Sequence, residues 1–468
     1  MGTQTSPAFT GRKKLFMIAA LLLTMVTCNA ASYANNVILP ILLSEMDLMD
    51  YYSVYAAVAS MGMMTALPLS GSLGAKLGTK TVILFGLVAQ FVFRFAMMFT
   101  DNFLLFGIFY ALMGFCSGLY MTAPYAVMAE VVAPEERPKY FGYVAAAAAA
   151  GSLIGPYMTG LFVDYISAEL GLICYGVFAI IPIIAFVTLY SGHKNPQNKF
   201  DLAGLLLLVI FVLCLVMWLS LGGNLFSFAS PIGILLPVIA AISLVFLIRR
   251  EKNISHPAVP VRVFVKKRFR YTFIIQALVV AYATCIGAYG IVYAQQVMGF
   301  GGAVSSTVTM PQTIVQFILG LFIGTFIGKA FKKRFRFFGL LAIFAYLAGL
   351  LIFFTLTPNT SLIVIYIATG IGGIGQAITQ SCYAAFFQTE MTPEEIPAAQ
   401  GMYQFAGTGG SSVFIAFCGA AINMGLSLNQ VFLVSALFVT VALVLAFIHF
   451  RFPKAEIEAE AAAAQKNI

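Results

Sequence analysis

Phe141 to Gly160 reads FGYVAAAAAAGSLIGPYMTG, with six consecutive alanines, four glycines and no charged side chain. Small residues strip a helix of its bulk, so the stretch is either a flexible linker or a helix that presses its backbone onto another backbone. The solvent decides. Of 468 residues, 61% are hydrophobic and 9% charged, with a mean hydropathy of +0.95, whereas soluble domains carry about 25% charged residues. The composition specifies an all-α integral membrane protein, and in lipid the stretch reads as a closely packed helix. No polar block long enough to fold alone appears; the longest polar interruption lies around Arg249 to Arg270.

A membrane span needs about 20 apolar residues, and that length gives fourteen transmembrane helices. The first six are Leu15–Leu43, Tyr51–Leu73, Thr81–Phe99, Phe103–Met128, Phe141–Val163 and Leu170–Leu189. Two more follow, Leu202–Leu221 and Pro231–Ile248. The last six are Tyr271–Met298, Val304–Ile327, Phe337–Phe354, Leu362–Phe387, Ala398–Ala421 and Val431–Phe450. This divides the chain into a six-helix half (1–190), a linker with two inserted helices (191–268), a second six-helix half (269–451) and a cytoplasmic tail (452–468).

Lys and Arg are retained on the cytoplasmic side and should occupy alternate loops. Arg12 to Lys14, Lys76 with Lys80, Arg137 with Lys139, Lys194 with Lys199, Arg249 to Arg270, Lys329 to Arg336, and Arg451 to Lys466 do so. Of 26 basic residues, Arg94 alone falls elsewhere. Glu45, Asp47, Asp50, Asp101, Asp164 and Glu169 take the opposite loops, which puts both termini in the cytoplasm of a bacterial-type plasma membrane. The net charge of +9 follows from this orientation next to anionic headgroups; the basic loops are short and carry no nucleic-acid reading motif. The long N-terminal apolar run reads as a retained first span.

The seven cysteines lie inside the expected spans without CxxC spacing and read as small apolar fillers. Gly324 to Lys329 superficially suggests a phosphate loop, but the spacing is short and Ala330 stands where Ser or Thr is required. No HExxH occurs, and His193, His256 and His449 are scattered. These features point away from an enzyme, and no cofactor or metal is expected.

Glu130-Val-Val-Ala-Pro-Glu-Glu-Arg-Pro-Lys-Tyr-Phe-Gly142 is echoed by Glu390-Met-Thr-Pro-Glu-Glu-Ile-Pro-Ala-Ala-Gln-Gly401. Likewise Gly71-Ser-Leu-Gly-Ala-Lys-Leu-Gly-Thr-Lys80 is echoed by Gly324-Thr-Phe-Ile-Gly-Lys-Ala-Phe-Lys-Lys333. The two six-helix bundles are thus pseudo-symmetric, an organisation common in secondary transporters. On these residues the chain resembles the major facilitator superfamily, in particular its fourteen-span drug:proton antiporter branch. Gly71, Lys76, Gly78 and Lys80 are similar to that family's loop signature. Gly142, Gly151, Gly155, Pro156 and Gly160 are similar to the antiporter signature, with Thr159 in place of one glycine, and Asn36 to Pro40 resembles the branch's first-span motif. The Tyr33 to Pro40 segment also resembles bile-acid-type uptake carriers. The resemblance implies a sliding and sealing surface along the fifth span; Glu130 and Glu390, at cytoplasmic helix ends, read from the repeat either as gating residues or as solvated ones. It also exposes departures: Ala75, Gly328, Ala31 and Tyr110 stand where the family carries charges, so proton coupling through those positions is not expected.

Embedded charges mark transport pathways because each is costly at mid-bilayer. Arg94 lies well inside the third span, close enough to the outer end to snorkel to the interface or to face cargo. Uncharged polar residues recur at helical spacing: Asn29, Tyr33 and Asn36; Tyr282, Tyr289, Tyr293 and Gln296; Gln312 and Gln316; and Gln376, Gln380 and Tyr383. Each could simply bond a neighbouring helix; together they read as the lining of a cavity. Rings and amides suit a small amphipathic organic molecule, and the lack of an embedded carboxylate favours neutral or anionic cargo. The expectation is a monomeric secondary transporter in the lipid bilayer, with protons as a further partner. Drug efflux by antiport and proton-linked uptake (symport) of an organic acid such as a bile acid are the two directions considered. A non-transporting receptor would need a docking domain, and residues 452–468 offer a short Glu/Ala-rich helix.

Overall fold

Apolar runs become helices here because, in hydrocarbon, backbone N–H and C=O groups must pair within their own segment. The computed structural model describes residues 11–47, 52–100, 102–192, 201–222, 226–254, 259, 261–300, 304–305, 307–328, 330–423 and 425–466. Asp50, Asp101, His193, Lys194, Lys199, His256 and Lys329 lie outside the described residues.

The first six long helices are α1 (Gly11–Glu45), α2 (Tyr52–Leu77), α3 (Thr79–Met97), α4 (Phe103–Met121), α5 (Arg137–Tyr165) and α6 (Ile180–Thr188). The inserted pair is α7 (Leu202–Leu221) and α8 (Pro231–Asn253). Then come α9 (Lys267–Cys285), α10 (Met310–Gly328), α11 (Phe331–Phe354), α12 (Leu362–Gln388), α13 (Ile396–Asn423), α14 (Leu428–His449) and a tail helix, α15 (Lys454–Lys466). Side chains close several N-termini: Asn102 accepts from the N–H groups of Leu104 and Leu105, and Ser427 forms a capping box with Gln430. Those caps satisfy donors that a helix end otherwise leaves unpaired.

Three expected spans are interrupted. The fourth breaks after Met121 into Ala123–Ala126 and Met128–Val131, with Pro124 at the new start. The sixth starts in a short helical turn, Ala168–Gly171, and passes through a 3₁₀ segment, Cys174–Ala179, before α6. The ninth passes through a π-helical turn, Ile286–Gly290, before Ile291–Gln296.

Eleven helical segments among the described residues are long and apolar enough to cross a membrane. The other three expected spans are helical too, at 26 residues for α2, 20 for α7 and 28 for α13. Glycine and serine on α2 and α13 dilute their hydropathy, and α7 contributes a shorter apolar segment, Ala203–Leu219. The architecture is therefore an all-helical membrane fold with eleven clear spans.

The chain clusters into two units. The first comprises Met1–Val131, Ala150–Phe264 and Thr392–Thr408; the second comprises Val132–Ala149, Val265–Met391 and Gly409–Ile468. The inserted helices α7 and α8 pack on each other, and α7 packs on α2, all within the first unit. Helices α5 and α13 each contribute one end to either unit.

Glycine explains that exchange of helix ends. In the second unit, a Cβ at Gly142 would lie 2.5 Å from the Gly320 carbonyl oxygen, and one at Gly324 would overlap the Pro138 carbonyl. In the first unit, a Cβ at Gly71 would lie 2.6 Å from Ala398 Cα, and one at Gly401 would overlap the Leu67 carbonyl. These are the repeat positions found in the sequence, paired crosswise: Gly71 meets the start of α13, and Gly324 meets the start of α5. Backbones this close are how helices associate where lipid supplies no hydrophobic drive.

At one end of the inserted pair, buried Asp201 accepts from Arg250 Nε at 2.9 Å and from Arg250 Nη2 at 2.8 Å. Burial pushes the Asp201 carboxyl up, but the bonds from Arg250 and from the Gly204 and Ala203 amides outweigh it and hold it below its ordinary 3.8. A depressed carboxyl stabilises the fold above its ordinary value and loses that contribution as pH falls through its folded value. Arg250 is 41% exposed, so screening limits the gain. We expect Asp201→Asn to cost about 1 kcal/mol at pH 7, and the difference from wild type in detergent thermal melts to shrink as pH falls below the carboxyl's ordinary 3.8 and through its depressed folded value. A constant difference across pH would assign the loss to shape and not charge.

Candidate functional site

The first unit contains a cavity of about 220 Å³ between α1, α2, α3 and α4. Its walls form because α2 and α4 approach through glycine: a Cβ at Gly118 would stand 2.7 Å from the Met63 carbonyl oxygen, and one at Gly114 would overlap the Ala59 carbonyl. Apolar side chains of Leu39, Met63 and Met113 share the lining with Ser32, Asn35, Asn36, Ser60, Tyr110 and Ser117. Arg94 is the one charged residue of that lining.

Arg94 is 1% exposed. Its Nη2 donates to the Ala31 carbonyl at 3.2 Å, its Nη1 to the Leu172 carbonyl at 3.4 Å, and its guanidinium lies 5.0 Å above the Tyr175 ring. The side chain thus turns into the helix bundle and does not snorkel. Among the described residues Nε has no hydrogen-bond partner, and neither does the buried Asn35 Oδ1 or Tyr175 Oη. One turn before Arg94, buried Gln90 accepts from Tyr120 at 2.9 Å and from Ser117 at 3.4 Å, which leaves its Nε2 unpartnered. Ala31 and Tyr110, two of the positions that depart from the family's charges, both belong to this neighbourhood.

Of the other first-span candidates, Asn36 lines the cavity, Tyr33 is 47% exposed, and Asn29 donates to its own helix at the Met25 carbonyl, 3.0 Å away. Sequence reasoning missed Ser32, Asn35, Ser60 and Ser117. Asn35 sits next to Asn36, but short hydroxyls in a small-residue helix give no signal of their own.

The remaining candidates belong to the second unit, where several bond helix to helix. Gln316 donates to the Ala145 carbonyl at 3.1 Å, Tyr289 to that of Ile415 at 3.2 Å and Tyr383 to that of Gly339 at 3.0 Å. Gln376 accepts from Tyr346 at 3.3 Å, and Tyr346 stacks on Tyr282 with centroids 4.8 Å apart. Tyr282 itself fits a notch left by Gly372, where any Cβ would collide with its hydroxyl. Tyr293 Oη and Gln380 Oε1 are buried without a partner among the described residues; Gln312 is half-buried and Gln296 exposed.

The glycines of α5 diverge. In the first unit, Gly151 and Gly155 abut α1, with a Cβ at Gly151 falling 2.5 Å from the Val26 carbonyl oxygen and one at Gly155 falling 2.5 Å from Ala30 Cα. Gly160, grouped with them on sequence, has nothing within 4 Å of such a Cβ, because that side of the helix faces away from α1; buried Thr159 supplies the contact there, toward Gly171. Pro156 lies within α5. In the loop signature, Gly78 takes φ 97° at the turn into α3, a conformation that favours glycine, and Lys80 donates to the Val187 carbonyl at 2.7 Å. Lys76 is half-buried at the end of α2. Glu130 accepts from Tyr190 at 2.9 Å, and Glu390 from the Arg268 amide at 2.9 Å.

A bundle of apolar helices joined by glycine seams and enclosing a polar cavity defines a multi-pass membrane carrier. The chain belongs to the Major Facilitator Superfamily, whose sequence profile matches residues 21–415, a family of secondary transporters and not of enzymes. It is 24% identical over 371 residues to the multidrug transporter protein MdtP of Bacillus subtilis, covering 77% of this chain and 66% of that protein. It is 22% identical to multidrug resistance protein 3 of the same organism, over 75% of this chain and 68% of that protein. The multidrug efflux pump SdrM of Staphylococcus aureus is 24% identical over 64% of this chain and 67% of its own length. Among solved structures, the human organic anion transporter MFSD10 superposes with a TM-score of 0.65 at 13% identity, covering 92% of this chain and 99% of that one. A bacterial homologue of the iron transporter ferroportin, in its outward-facing state, gives 0.61 at 15% identity over 92% and 98%. At such identities the structures share the fold.

Proposed function

We propose that this protein carries small amphipathic organic molecules, neutral or anionic, across a bacterial-type cytoplasmic membrane by alternating access. Fourteen spans with both termini cytoplasmic complete this reading. One observation carries it: the cavity of the first unit combines apolar walls with amides and hydroxyls, and its single charged lining residue is a cation. Such a site suits an amphipathic body with a few polar groups and repels organic cations. The glycine seams that pair each half's loop signature with the other half's small-residue helix are the surfaces at which gating would occur.

Proton coupling, where it operates, has few carboxylates to use. Asp201 is held by Arg250, Glu390 by Arg268 and Glu130 by the Tyr190 hydroxyl. The cargo's own ionisable group is the simplest remaining carrier of the proton. A second direction, drug efflux, is favoured by the relatives, named multidrug transporters.

Reconstitution into liposomes tests the reading, with labelled neutral, anionic and cationic amphiphiles offered from either side, with and without a proton gradient. We expect saturable flux of at least one neutral or anionic compound, at least tenfold above protein-free vesicles, and none of the cations. Cation flux would overturn the charge preference, and no flux of any compound would overturn transport.

A further inference from the structure

Among the described residues no anion compensates the buried charge of Arg94. Its described partners are two carbonyl oxygens and a ring face, none of them an anion. Taking a guanidinium out of water is costly unless an anion and a full set of acceptors replace the solvent, and buried donors without acceptors are rare enough to need a reason. Among the described residues three buried donors lack an acceptor here: Arg94 Nε itself, Gln90 Nε2 one turn before it on α3, and the Oη of Tyr175, whose ring lies 5.0 Å from the guanidinium. Arg94 also faces a cavity.

We propose that the cavity between α1, α2, α3 and α4 is a subsite for a carboxylate, bound by Arg94. A carboxylate brings one negative charge and about four lone-pair positions, which matches a single guanidinium with spare N–H groups. Asn35 lines the same cavity and its amide can turn its N–H toward the anion, since oxygen and nitrogen are distinguished by their bonding. A volume of about 220 Å³ is smaller than the several hundred cubic ångströms of drug-sized pockets. It holds a carboxyl group with one ring and not a whole amphiphile, so the rest of the cargo extends beyond it. Leu39, Met63 and Met113 supply the apolar walls against which that ring would lie. Binding neutralises Arg94, so the occupied cavity carries no net charge.

That the site takes cargo rests on the transport reading above; that it binds a carboxylate does not. The test is therefore equilibrium binding by the full-length protein in lipid nanodiscs, with benzoate and its neutral isostere benzamide as probes, read by calorimetry and by ligand-induced shifts in melting temperature. We expect benzoate to bind at least tenfold more tightly than benzamide. Arg94→Gln should abolish that preference, and Arg94→Lys should keep part of it because charge is retained without the planar fork. Should Arg94→Gln fail to fold, the wild-type comparison of the two probes still decides. Equal binding of benzoate and benzamide, or a benzoate preference surviving in Arg94→Gln, overturns the subsite. Neither result bears on flux in proteoliposomes, which judges transport by itself.

Discussion

We expect Gly155→Leu to abolish flux in proteoliposomes, by a factor on the order of 100 or more, while the protein still inserts and is purified in near-normal amount. A Cβ at this position already falls 2.5 Å from Ala30 Cα and 2.8 Å from its carbonyl carbon. Backbone cannot turn aside as a flexible side chain can, so α5 and α1 must separate. Insertion is spared because leucine raises the hydropathy of the span. Gly160→Leu, five residues along the same helix, meets open space and should transport like wild type. The pair of variants separates packing from hydropathy: equal flux in both would remove the seam from the mechanism.

The second large effect is expected at Arg268, which holds the tail helix α15 to the second unit. Its Nη2 donates to Glu456 at 2.7 Å and its Nη1 to Thr389 at 2.7 Å, and its guanidinium lies 4.4 Å above the Phe452 ring. Phe452 in turn packs edge-on against Phe386 at 5.2 Å and Phe331 at 5.8 Å, and Glu460 accepts from the Lys332 amide at 3.0 Å. Hydrogen bonds to charged groups contribute about 1.5–3 kcal/mol each, discounted here because Glu456 is 37% exposed. Arg268→Ala should therefore release α15 by about 2–3 kcal/mol and raise tryptic cleavage at Arg451 and Lys454 on the order of 100-fold. Arg268→Lys should recover part of the protection, since the charge returns without the stacked plane. Unchanged cleavage in Arg268→Ala would mean that the aromatic cluster alone holds the tail.

Helical membrane character, the positions of the long apolar segments and the recurrence of two motifs along the chain were all legible in the sequence alone. Each is a property of one segment against lipid: hydropathy needs no partner, and the loops either carry Lys and Arg or do not. The glycines at 71, 142, 324 and 401 could likewise be singled out, because a residue without a side chain is informative wherever it recurs. Which backbone each one touches was decided by tertiary structure. In lipid the inward and outward faces of a helix are both apolar, so periodicity does not say which way a residue points. Hence Tyr33 stands 47% exposed while Tyr293, equally polar on paper, is fully buried, and Gly160 is free where Gly155 is pressed against α1. Arg94 shows the limit most clearly. Its sequence position allowed either snorkelling or an inward turn, and the choice rests on the Ala31 and Leu172 carbonyls and the Tyr175 ring, which come from α1 and from the segment leading into α6 and meet Arg94 of α3 only once those segments have packed.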